Sequence, residues 1–96
     1  MLILVTYDIN ITTPTGQSRL RRVAKQCVAY GVRVQNSVFE CRVDMAQYTR
    51  LKHAILAEID EARDSVRFYR LGENYLSKVE HFGVQRGTNL DEPLIL

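Results

Sequence analysis

The polar pair Gln35-Asn36 interrupts a stretch, Arg33 to Val43, that otherwise carries the alternating and β-branched residues of a strand: Val34, Val38, Phe39, Cys41 and Val43. A tight turn or bulge at that pair splits the stretch into a hairpin of two short antiparallel strands. On its N-terminal side, from about Gln17, Leu20, Val23, Ala24, Cys27 and Val28 form the stripe of an amphipathic helix, with Gly31 as its stop. On its C-terminal side Asp44 can cap a second helix, with Gln47 three residues on and Tyr48, Leu51, Ile55, Leu56 and Ile59 as the apolar stripe. A hairpin flanked by two such helices leaves few arrangements open.

The outer segments complete the order. Leu2-Ile3-Leu4-Val5-Thr6-Tyr7 reads as a central strand ending at Asp8, Asn10 to Gly16 as a loop, and Ser65 to Leu71 as a strand bearing Phe68 and Tyr69. The sequence β-α-β-β-α-β predicts an α+β, ferredoxin-like fold, with an antiparallel sheet of four strands and both helices on one face. The other face is left bare, and a second copy of the chain is its simplest cover. Leu76 to Phe82 could add a C-terminal fifth strand, pairing with its own sheet edge or a partner's. Residues 1–96 read as one domain, with 72–96 an extension expected to contact the partner protomer.

A chain of 96 residues folded alone leaves much of its surface wet, which adds weight to a partner chain. With 46% apolar and 25% charged residues it is an ordinary globular composition, neither disordered nor fibrous. The run Met1 to Val5 is too short to span a bilayer and has no charged region before it, so a cytoplasmic protein without a membrane association is expected. Cys27 and Cys41 lack the number and spacing of a disulfide framework or a zinc site and read as reduced core residues. Charge is uneven: residues 1–50 hold seven Arg/Lys against three Asp/Glu, and residues 51–96 six against eight. An acidic partner would dock on the first half.

Asp8 is the sharpest candidate for chemistry. A carboxylate at the carboxyl end of a central strand can hold a hard cation, although one carboxylate is a poor cage and two copies sharing one ion would be a better one. Its bland alternative is a cap for the turn that follows. Tyr7 alternates to the other side of the strand and packs. Arg19, Arg22 and Lys25, with Arg21 nearby, make the outer face of the first helix basic: either a phosphate grip or a solvated surface. Arg33, ahead of the hairpin, is a better placed phosphate ligand, and Ser37 could position a phosphate or close the turn. Phe39 is core or interface packing, His53 and His81 have no partner at ligand spacing, and Glu58, Asp60, Glu61 and Asp64 read as a solvated acidic surface or a patch for a basic partner.

The opening strand ending in Tyr7-Asp8, the basic helix from Arg19 to Tyr30, the block Arg33-Val34-Gln35-Asn36-Ser37-Val38-Phe39-Glu40-Cys41 and the block Asp64 to Leu71 together resemble the small, second CRISPR-associated protein family, the partner of the spacer integrase. The resemblance covers nearly the whole chain. Tyr75, Val79-Glu80-His81 and the closing Pro93-Leu94-Ile95-Leu96 look like the branch found beside subtype I-C interference genes. The resemblance implies a homodimer built sheet face to sheet face, a bridging role between integrase dimers in spacer acquisition, and metal-dependent endonuclease activity on duplex DNA or RNA. It places the metal, Mg2+ or Mn2+, on Asp8, and nucleic-acid contacts on Arg19, Arg22, Lys25, Arg33 and Ser37. A scaffold that binds duplex DNA without relevant catalysis, and an RNA-cutting enzyme, remain alternatives.

Overall fold

The computed structural model describes residues 1–84. Its elements are β1 (Leu2–Asp8), α1 (Pro14–Tyr30), β2 (Gly31–Gln35), β3 (Val38–Arg42), α2 (Met45–Glu58) and β4 (Ser65–Gly72). The sheet order is β2-β3-β1-β4 with every neighbouring pair antiparallel, which is the ferredoxin-like arrangement expected. The hairpin turns at Asn36-Ser37, where the Tyr7 N–H donates to the Ser37 carbonyl at 3.1 Å.

Alternation along β1 sorts the molecule into two sides. Ile3, Val5 and Tyr7, with Ile9 just beyond the strand, pack with Phe39 and Cys41 of β3 against Val23 and Cys27 of α1 and Tyr48, Leu51 and Ile55 of α2. That is the core, and it places both helices on one face. Leu4, Thr6 and Asp8 point to the other face.

Both helix starts are set by side chains. Asp44 and Gln47 form a reciprocal capping box, with the Gln47 N–H donating to Asp44 Oδ1 at 2.7 Å and the Asp44 N–H to Gln47 Oε1 at 2.9 Å. Thr13 caps α1 through its hydroxyl, which accepts from the Gly16 N–H, and Pro14 opens the first turn, so the helix starts earlier than Gln17. Gly31 ends it as expected but not through a left-handed turn: φ is −163°, and a Cβ there would lie 2.3 Å from the Glu40 carbonyl oxygen. Glycine is required by the close approach of β2 to β3.

Three expectations are corrected. The buried stripe of α1 is Gly16, Arg19, Val23 and Cys27, while Val28 is 61% exposed, so the helix is rotated toward Arg19. Leu56 of α2 is also exposed rather than buried. Within the stretch expected to add a fifth strand, Leu76–Lys78 forms a single 3-10 turn, and no described residue there pairs with this chain's own sheet. Tyr75, Leu76 and Val79 instead line, with Leu2, Val34 and Val38 of the open face, a cavity of about 500 Å³. The closing Pro93 to Leu96 lies outside the described residues.

Candidate functional site

Asp8 sits at the last position of β1, exposed, opposite Ser65 of β4, on the face the helices leave uncovered. No side-chain hydrogen bond or ion pair holds it among the described residues, in contrast to Asp44, Asp60 and Asp64. The capping alternative for Asp8 therefore has no support in the geometry. Ser37 lies at the same end of the sheet, in the turn that follows β2, and contributes its carbonyl rather than a visible side-chain bond.

Tyr7 points the other way, into the core, stacked on Phe39 with ring centroids 6.2 Å apart. Its hydroxyl is buried without a hydrogen-bond partner. Burial pushes the phenol above its ordinary value, partly offset by the nearby Arg33 guanidinium. Arg33 itself is exposed at the β2 edge and lies over the Phe39 ring, 5.0 Å from its centroid.

The basic helix divides. Arg22 and Lys25 are exposed on the outer side of α1, and Arg22 pairs with Glu58 of α2. Arg19, expected beside them in solvent, is buried: its Nε donates to Asp64 Oδ2 at 2.8 Å, and its Nη2 reaches Asp64 Oδ1 at 3.3 Å. A guanidinium committed to a buried carboxylate in this two-point geometry is not presented to a phosphate. Asp64, expected in a solvated acidic cluster, is the buried member of that pair. The Arg19 guanidinium, aided by the backbone N–H groups of Asp60 and Asn10, holds the Asp64 carboxyl down at about 2. Arg22 and Lys25 lie on the helix side of the sheet and Asp8 on the other, so one chain does not bring them together.

A basic residue on the side of Asp8, and close to it in the register, is Arg67. It stands across from Thr6, one diagonal step from Asp8 or about 7 Å by ordinary sheet spacing, and its Nη1 donates to the Tyr69 hydroxyl at 2.9 Å. Alternation in β4, with Val66 and Phe68 inward and Arg67 and Tyr69 outward, is the signal that marks it.

The family model for CRISPR associated protein Cas2 matches residues 1–79. The chain belongs to the Cas2 family. It is 53% identical over 96 residues, all of this chain and 94% of the relative, to a protein of Nitratidesulfovibrio vulgaris named CRISPR-associated endoribonuclease Cas2. To the CRISPR-associated endonuclease Cas2 of Halalkalibacterium halodurans it is 55% identical over 95 residues, 99% of each chain. Among solved structures, Streptococcus pyogenes Cas2 at pH 6.5 superimposes with a TM-score of 0.76 at 57% identity, covering 86% of this chain and 100% of that one.

A Cas2 chain taken singly is a poor fit for a metal ion. Among the described residues no three His, Cys, Asp or Glu side chains gather where they could hold one. His53 is exposed on α2, and His81 engages the Gly83 carbonyl. No described helix is long and apolar enough to cross a membrane.

Proposed function

We propose that this Cas2 chain is a spacer-acquisition subunit of the cytoplasm that works as a homodimer, binds duplex DNA, bridges integrase dimers, and cleaves phosphodiesters at Asp8. The observation that carries the chemistry is Asp8 itself: an unbonded, exposed carboxylate at the end of a central strand, on the one sheet face that no helix covers. Pairing two open faces would bring two such carboxylates near one axis and give the donor set that one chain lacks. A divalent cation there, Mg2+ or Mn2+, supplies charge neutralisation on a phosphate oxygen and a water of lowered pKa. Arg67 lies on the same face to meet a phosphate, while Arg22, Lys25 and Arg33 remain available for backbone contacts, Ser37 for a contact at the turn. Arg19 leaves that set. The C-terminal extension, whose described part lines a cavity on the open face, fits a contact with the partner protomer, and its residues favour the subtype I-C branch.

Two further readings each have an observation behind them. Several relatives are named endoribonucleases, which favours RNA as the substrate. No cluster of three or more His, Cys, Asp or Glu side chains forms around Asp8 among the described residues, which favours a DNA-binding scaffold with little catalysis. The deciding experiment is cleavage of labelled duplex DNA and single-stranded RNA, side by side, by wild type and Asp8→Asn with Mg2+ or Mn2+. Duplex cleavage lost in the variant is expected. RNA cleavage alone would move the substrate, and DNA binding without cleavage of either would leave the scaffold.

A further inference from the structure

The end of β1 has a weakness built into it. At Asp8 the β1–β4 ladder stops, and a strand's last residue ordinarily frays because nothing beyond it continues the hydrogen bonding. A side-chain clamp takes over where the ladder ends. Asp64, the residue before Ser65 and hence next to the cross-strand partner of Asp8, accepts the Asn10 N–H on Oδ1 at 3.0 Å. Arg19, bound to the same carboxylate, donates from Nη2 to the Asn10 carbonyl at 3.4 Å. Both backbone polar groups of Asn10, two residues past Asp8, are thus held by one buried ion pair.

The remaining valences anchor the pair itself. Asp64 Oδ2 accepts from the Asp60 N–H at 2.8 Å, and Arg19 Nη1 donates to the Thr15 hydroxyl at 3.0 Å. Gly16 brings α1 so close to Asn10 that a Cβ would lie 2.0 Å from the Asn10 carbonyl oxygen. The Asn10 side chain accepts in turn from the Thr12 N–H and hydroxyl at 2.9 and 2.6 Å. We propose that the Arg19–Asp64 pair is a positioning device for Asp8, pinning the backbone on the far side of it so that the carboxylate leaves the open face at one fixed angle. Arg19 and Asp64 touch no substrate; they act through Asn10.

This rests on the reading of Asp8 given above, and two readouts keep the two apart. Asp64→Asn keeps the shape but loses the charge that draws in Arg19 and one of the two backbone-accepting oxygens. Amide exchange at Asn10 in the full-length variant is expected to rise about tenfold or more relative to Val5 at the strand centre, because local opening no longer breaks the clamp. In duplex cleavage, kcat is expected to fall roughly tenfold or more with KM unchanged, since misplacement of a reacting group costs turnover rather than binding. Arg19→Lys, which keeps the charge but offers one nitrogen in place of three, should fold and show the same selective Asn10 exposure to a smaller extent. Exchange that rises equally at Asn10 and Val5, or does not rise, overturns the proposal whether or not the wild type cleaves anything. Selective Asn10 exposure with kcat unchanged in a wild type that does cleave overturns it as well. Failure of wild type and Asp8→Asn to differ in cleavage sinks the nuclease reading alone.

Discussion

The two faces of the sheet are built from alternate residues of the same strands and have little else in common. On the helix side Ile3, Val5, Phe39 and Cys41 have no measurable exposure, and the polar atoms present are few. On the open side Leu4, Thr6, Val38, Glu40 and Arg42 are only half-buried, and Asp8, Arg67 and Tyr69 are exposed. One face holds the chain folded; the other is free to carry charge. A carboxylate such as Asp8 would be costly among the first set and costs nothing in the second, which is why chemistry can sit on a strand whose other residues make the core.

The comparison can be broken most forcefully from the covered side. Phe39→Ala removes a fully buried ring that stacks on Tyr7 and carries Arg33, and should cost about 3–5 kcal/mol in urea unfolding. A loss below about 1 kcal/mol would mean that the covered face is not where stability resides. Acid comes next. The Asp64 carboxyl is held at about 2 in the folded chain against 3.8 for the free group, so the pair contributes stability that is complete above roughly pH 5 and is lost as pH falls through 4 toward 2. Wild type should show this acid limb, and Asp64→Asn should flatten it. The smallest effect on folding is expected on the open side: Leu4→Lys should change stability by less than about 1 kcal/mol yet leave the protein monomeric in sedimentation. A Leu4→Lys protein that still dimerises would separate the open face from assembly.

The elements were legible because their signals are local. Asp44 with Gln47 three residues on announces a capping box before any contact is known, and Gln35-Asn36 marks a turn because nothing else in Arg33 to Val43 breaks the strand pattern. Arg19 was not legible. Counting apolar positions assigns a charged residue to solvent, and only Asp64, 45 positions away, makes its burial affordable. Once Arg19 faces inward, Val28 must face outward, so one long-range pair accounts for both corrections to α1. Arg67 was readable in principle from the alternation in β4 but carries no signal that separates it from any surface arginine until the register places it beside Thr6. The 3-10 turn at Leu76–Lys78 opens a stretch whose strand reading rested on Val79 and Phe82, but a strand also needs an edge to pair with, and that is not written in the segment itself.

Cys27 and Cys41 are both reduced and fully buried, and burial pushes their thiols up to about 12. Thiolate-seeking reagents therefore have no target in the native molecule at neutral pH. The chain carries a built-in clock for its own opening: the rate at which these two sulfurs become labelled, with or without nucleic acid, times how often α1 lifts from β3, and it does so without a single residue having been changed.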